Sequence, residues 1–280
     1  MTGGAGVVSA GNTPAAALQL HIREKVYGNG VCTLRDVQFA AGAGEFVAIV
    51  GPSGTGKTTL LNIIAGLDTD VAGDIRWHGQ PLAACGGSRL GFMFQEARLM
   101  PWLTVEQNIR LVLHGQPEGE DAASLLRMQA LLERVGLQDF RAAYPRQLSG
   151  GMQRRVSLVR AFVVQPQLLL MDEPFQSLDE PTANQLRDLL LELWAETGAT
   201  VLFVTHSLRE ALTLADRVLF LSARPAQVVL DYTVPVARPR QADGAAVATV
   251  QTGLMARYPG LLSGLVEPTP NLSPTLGEHS

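Results

Sequence analysis

The stretch Phe46-Val47-Ala48-Ile49-Val50-Gly51-Pro52-Ser53-Gly54-Thr55-Gly56-Lys57-Thr58 runs from an unbroken apolar segment into a glycine-rich loop that ends in lysine and threonine. The apolar segment reads as a strand buried on both faces. Residues 58–65 continue as an apolar helix, so the unit is strand, loop, helix. Residues 51–58 satisfy G-x-x-x-x-G-K-[ST] in the structural context that this pattern requires. Glycines let the backbone turn tightly enough for successive N–H groups to face phosphate oxygens, and the helix start adds favourable positive potential. On this reading Gly51, Pro52, Ser53, Gly54, Thr55, Gly56 and Thr59 frame ATP or GTP, Lys57 sits against the β and γ phosphates, and Thr58 ligates Mg2+. A solvated glycine-rich turn would need neither flanking element.

Outward from the loop, residues 21–48 show short β-type runs broken by Gly28, Gly30, Gly42 and Gly44, which predicts a small antiparallel sheet. From about residue 98 to 165 the period becomes helical, with apolar residues three and four apart over 105–113 and 124–135, as in an inserted helical subdomain. Strand character returns at 168–171 and 200–204, separated by a helix over 182–196 that stops at Gly198. Ser207 with Glu210 forms a capping-box pattern opening the next helix, and strands at 217–221 and 227–231 close the domain. The division expected is a flexible leader at 1–17, an ATPase domain at 18–234, and a tail at 235–280, partly disordered, with one short helix near 247–258.

Bulk properties narrow the function classes. A chain of 280 residues with 46% hydrophobic and 17% charged residues is ordinary globular composition, enough for one large α/β domain with an insertion. A net charge of -4 and pI near 5.8 argue against a broad basic face for nucleic acid, so no nucleic-acid partner is expected. The chain has only two lysines, Lys25 and Lys57, and one of them falls in the phosphate loop. Cys32 and Cys85 lack disulfide or metal-ligand spacing, which fits a reducing compartment. Apolar runs are strand-sized, far short of the roughly 20 residues that a membrane-spanning helix needs.

A second acidic element completes the chemistry. Leu168-Leu169-Leu170-Met171-Asp172-Glu173 is an apolar strand ending in two acids, and a buried parallel strand presents such residues at its carboxyl edge, beside the phosphate loop. Asp172 can then reach the Mg2+ shell, and Glu173 can orient or deprotonate an attacking water. The pair implies hydrolysis.

Leu148-Ser149-Gly150-Gly151-Met152-Gln153 resembles the signature segment of ABC transporter ATPases. Ser149 is suited to cap a helix beginning at Gly150, and Gly150 and Gly151 let a phosphate approach its positive end, an anion site to which the resemblance adds Gln153. The resemblance covers about residues 18–233 and implies an α/β fold of the P-loop NTPase, ABC ATPase type: a mainly parallel core sheet with an N-terminal antiparallel β subdomain and an inserted helical subdomain. It also implies that the anion site faces ATP held by a second ATP-binding subunit, in a head-to-tail dimer. Tyr27 resembles the aromatic that stacks on adenine, Gln95 the glutamine that senses Mg2+ and attacking water, Asp179 the loop crossing the dimer interface, and His206 the histidine contacting the γ-phosphate. Two positions depart from the family pattern: Gln176 replaces a small residue, and Tyr27 lies one residue farther from Lys57.

Leu99-Met100-Pro101-Trp102-Leu103-Thr104-Val105, Met171-Asp172-Glu173-Pro174-Phe175 and Leu221-Ser222-Ala223-Arg224-Pro225 resemble the nitrate, taurine and alkanesulfonate importer group, with importers of thiamine-precursor pyrimidines as near relatives. The implied partners are a transmembrane permease, a second ATP-binding subunit and, indirectly, a periplasmic or surface solute-binding protein. The implied location is peripheral, at the cytoplasmic face of the inner membrane. Residues 95–102 correspond to the segment that grips the permease, and Trp102 is read either as an apolar anchor there or as a core residue. Competing classes are a soluble ABC ATPase acting on DNA or ribosomes and a small-molecule P-loop kinase; the kinase would have no use for residues 148–153.

Overall fold

The computed structural model describes residues 16–28, 30–82, 90–116 and 119–266. Residues 1–15 of the expected leader, Cys85 and residues 267–280 of the expected tail lie outside the described residues.

In chain order the elements are β1 (Ala16–Val26), β2 (Cys32–Gly42), β3 (Phe46–Val50), α1 (Lys57–Ile64), β4 (Ala72–Trp77), β5 (Gln80–Pro81), β6 (Leu90–Met93), α2 (Val105–Leu113), α3 (Ala122–Arg134) and α4 (Gly150–Phe162). There follow β7 (Leu168–Asp172), α5 (Glu180–Thr197), β8 (Thr200–Thr205), α6 (Leu208–Leu214), β9 (Arg217–Leu221), β10 (Val228–Thr233) and α7 (Ala245–Arg257). A six-stranded sheet has the order β10-β9-β3-β8-β7-β6, parallel throughout except for the antiparallel edge strand β10. A separate four-stranded antiparallel sheet has the order β2-β1-β4-β5. This is the α/β architecture expected, with α2, α3 and α4 inserted between β6 and β7.

The central position of β3 follows from its residues. All five are buried, and alternate side chains serve different cores. Val47 and Ile49 pack with Leu60, Leu61 and Ile64 of α1 and with Leu18 and Ile22 of β1, while Phe46, Ala48 and Val50 face α4, α5 and α6. A strand apolar on both faces can only lie between two covered layers. Because β3 sits between β8 and β9, its carboxyl end opens beside those of β7 and β8, where ligands of open α/β sheets bind.

β1 begins at Ala16, ahead of the β-type runs read from about residue 21. Ser207 Oγ accepts from the Glu210 N–H at 3.3 Å, yet the Glu210 carboxylate does not return to Ser207. It accepts instead from Thr205 Oγ1 at 2.7 Å and Arg187 Nη2 at 3.0 Å, so the capping box is only half formed. Finally, α7 docks on α6, and Val247, Leu254 and Leu261 join the same core as the sheet. The described part of the tail is therefore packed against the domain.

Candidate nucleotide site

The phosphate loop lies between β3 and α1. Gly56 has φ +114°, and a Cβ there would meet Thr33 Cγ2 at 2.6 Å, so only glycine lets the start of α1 close against β2. Lys57 Nζ donates to the carbonyls of Gly51 and Pro52, both at 2.9 Å, and Thr55 Oγ1 donates to the Pro52 carbonyl at 3.0 Å. Burial pushes the Lys57 ammonium below its usual pKa, opposed by the nearby Glu173 and Asp172 carboxylates.

At the end of β7, Asp172 Oδ2 accepts a 2.8 Å hydrogen bond from Thr58 Oγ1. Burial raises the Asp172 pKa above the usual carboxylate range, with the Thr58 hydroxyl pulling the other way. Glu173 follows with φ +45°, a left-handed backbone rarely occupied by non-glycine residues and characteristic of strained functional positions. Its N–H is bonded to the Val204 carbonyl at 2.9 Å, and its Oε2 lies 2.9 Å from His206 Nδ1. The twist that separates Asp172 from Glu173 sends one acid under the loop and the other toward the open cleft.

The cleft has a volume of about 490 Å3 and is lined by Tyr27, Ser53, Gly54, Gly56, Lys57, Thr58, Thr59, Gln95, Glu173 and His206 from the expected set. Tyr27 donates or accepts a 2.9 Å bond with Thr59 Oγ1, carries the Lys25 ammonium 5.0 Å from its ring centre, and stays 42% exposed. Gly51, Pro52 and Thr55 form the loop beneath, and Asp172 is reached through Thr58.

Ser149, Gly150, Gly151, Gln153 and Asp179 do not line this cleft. Ser149 Oγ caps α4 by accepting from the Met152 N–H at 3.2 Å, and Asp179 caps α5 by accepting from the Thr182 N–H at 3.1 Å. Gln153 Nε2 is spent inside the chain, donating to the Pro145 carbonyl at 3.0 Å. Within one chain these residues form a second surface, held to α5 by Arg155 Nη2 bonding Gln185 Oε1 at 2.7 Å.

Sequence reasoning missed several participants. Val31, Thr33 and Arg224 also line the cleft. Gln176, noted only as a departure, lines it too and accepts a hydrogen bond from the Gln95 amide. The loop around Gln95 is clamped from α4: Arg154 donates to the Phe94 carbonyl at 2.7 Å and to the Gln95 carbonyl, while Arg160 donates to the carbonyls of Arg98 at 2.9 Å and Ala97 at 2.8 Å. Farther along, Asn108 makes four bonds that organise the turn at 100–104, accepting from the Met100 N–H and donating to three carbonyls. That turn leaves Trp102 69% exposed, which excludes its reading as a core residue.

The donor chemistry fits Mg2+. Thr58 and Asp172 supply hard oxygens, and among the described residues no cluster of three or more His, Cys, Asp or Glu side chains could hold an ion unaided. Mg2+ usually takes one or two protein oxygens together with phosphate oxygens and waters, and Thr58 and Asp172 would be the protein's share of such a shell.

The profile of the family described as "ABC transporter" matches residues 34–176. The chain is 41% identical over 244 residues to an aliphatic sulfonates import ATP-binding protein SsuB 1 of Xanthomonas axonopodis, covering 86% of this chain and 96% of that one. It is 43% identical over 208 residues to the nitrate import ATP-binding protein NrtD of a Synechocystis, covering 73% and 76%. Among solved structures, the dimeric post-hydrolysis state of the ATP-binding cassette MJ0796 bound to ADP and Pi superposes with a TM-score of 0.69 at 30% identity, covering 79% of this chain and 100% of that one.

Proposed function

The chain belongs to the ABC transporter family, and on that premise we propose that it is the ATP-hydrolysing subunit of an importer for a small anionic solute such as nitrate, taurine or an alkanesulfonate. One observation carries the reading: a single cleft gathers Lys57, Thr58, Glu173 and His206 in a chain similar over nearly the full length of a sulfonate-import ATPase.

ATP binding places the triphosphate along residues 51–59, where Lys57 leaves the Gly51 and Pro52 carbonyls for the more strongly charged phosphate oxygens. Glu173 holds and deprotonates the attacking water, and His206 fixes the Glu173 carboxylate until it turns to the γ-phosphate. Thr58, Asp172 and Gln95 would hold Mg2+, which supplies charge neutralisation for phosphoryl transfer. For that, Gln95 must give up its bond to Gln176.

Ser149, Gly150, Gly151 and Asp179 serve the site of a second copy, since they lie on a surface apart from their own cleft, while Gln153, expected among them, braces the turn before α4 by donating to the Pro145 carbonyl. The exposed Trp102 turn is the docking point for the permease, and a solute-binding protein delivers cargo to that permease from outside. Among the described residues no helix is long and apolar enough to cross a membrane, which is compatible with peripheral attachment at the cytoplasmic face. The test is reconstitution in liposomes with the permease of a sulfonate or nitrate importer that co-purifies with this chain: ATP-dependent uptake of an alkanesulfonate or nitrate is expected, and uptake that proceeds equally without this subunit or without ATP overturns the assignment.

A further inference from the structure

The cleft holds a second permanent cation besides Lys57. Arg224 lies on the loop between β9 and β10, is exposed, and lines the cleft together with Ser53 and Gly54. Its Nη2 donates to the Gly54 carbonyl, and among the described residues no carboxylate lies within ion-pair distance of it. Lys57 behaves alike, resting on the Gly51 and Pro52 carbonyls. Both cations of the cleft are thus parked on carbonyl oxygens of the one loop whose N–H groups suit phosphate. A carbonyl is a weaker partner for a guanidinium than a phosphate oxygen, which it can grip in bidentate fashion.

The Arg224 loop is fixed from two sides. On one, the Ala226 N–H donates to the Thr33 carbonyl at 2.9 Å and the Arg35 N–H to the Ala226 carbonyl at 3.0 Å, tying it to β2. On the other, the Ala223 N–H donates to the Gly264 carbonyl at 3.0 Å. Gly264 has φ +66°, and a Cβ there would fall 2.3 Å from Ala223 N and 3.0 Å from Pro52 Cγ. The turn after α7 therefore fits into the angle between the phosphate loop and the Arg224 loop, where no larger residue could sit. Loops anchored in this way keep a long side chain near its target and reduce the ordering cost of binding.

We infer that Arg224 is a nucleotide-binding residue: it moves from the Gly54 carbonyl to the polyphosphate of the bound nucleotide, and the turn at Gly264 holds it in place to do so. This rests on the reading of the cleft as the ATP site.

The test is equilibrium binding of a fluorescent ATP analogue, and of the same fluorescent adenosine without phosphates, at several salt concentrations. Arg224→Ala should weaken the ATP analogue about tenfold, the loss of one charge-assisted hydrogen bond, while leaving the adenosine probe unaffected and the salt dependence shallower. Arg224→Lys should recover part of the loss, and Gly264→Ala should weaken ATP binding in wild type but add little to Arg224→Ala. Unchanged ATP affinity in Arg224→Ala, or equal loss of both probes, overturns the inference. If the wild-type chain fails to bind the ATP analogue at all, as Lys57→Ala is expected to fail, the ATP reading itself falls.

Discussion

Thr58 Oγ1 donates to Asp172 Oδ2 at 2.8 Å, joining residues 114 positions apart. The bond ties the start of α1 to the end of β7, so both oxygens are held ready before any ligand arrives, although burial makes the charge on Asp172 costly. A nearby cation would remove that cost. Asp172→Asn should therefore leave the fold intact and lower ATP hydrolysis by roughly 100-fold, the scale seen when one preorganised electrostatic contact to a transition state is lost. A Mg2+ titration of the hydrolysis rate checks it: the variant should need far more Mg2+, and an unshifted titration curve would remove Asp172 from the metal shell.

Glu173 and His206 should separate binding from chemistry. Replacing Glu173 by Gln keeps the shape but removes the proton acceptor, so phosphate release should fall by about 100-fold or more while ATP is still bound and a dimer accumulates. Single-turnover hydrolysis and gel filtration with ATP measure both. Undiminished hydrolysis would refute the assigned role.

The clamp from α4 onto the Gln95 loop should matter more for rate than for affinity. Arg154→Leu leaves the Phe94 and Gln95 carbonyls without their donor, and Gln95 loses its placement. We expect kcat to drop by roughly 10- to 100-fold with KM nearly unchanged, as for a catalytic group displaced by about 1 Å. Steady-state kinetics at saturating Mg2+ decide the matter, and a KM effect alone would count against it.

Glu120 gives a pH signature in the helical region. The Arg110 guanidinium, which Glu120 accepts in a paired fashion, and then His114 hold its carboxyl down to about 2 against an ordinary 4.5. A depressed carboxylate stabilises the fold at pH values above the ordinary 4.5, and its contribution disappears as pH falls toward about 2. Glu120→Gln should accordingly have a lower Tm than wild type at pH 7, with the gap closing between pH 4.5 and 2 in thermal melts. A gap that persists at pH 2 would mean that shape, not charge, is responsible.

Much of the fold was legible because it is written in local pattern. β3, β7 and β8 are unbroken apolar runs, and the loop at 51–58 has its own spacing, so strand, loop and acidic edge could be read in order. What escaped reading depends on side chains meeting across long separations. Nothing near Arg224 in sequence points to Gly54, and arginines on an amphipathic helix read as solvated until Arg154 and Arg160 are found buried over carbonyls. The docking of Leu261 likewise depends on a core surface that no local period reveals. Ser207 and Glu210 show the opposite failure: the local pattern was present, but Arg187 and Thr205 outbid the backbone for the carboxylate.

Ser149 and Lys57 sit in the same chain but on different surfaces. If two copies share the site as proposed, turnover per molecule in a dilute solution of the isolated subunit should climb with protein concentration, because each encounter would complete what neither copy contains. A permease that seats two copies side by side substitutes a local concentration for the bulk one, reaching the millimolar scale through tethering alone. The membrane partner would in that way set the rate of hydrolysis before any solute has bound.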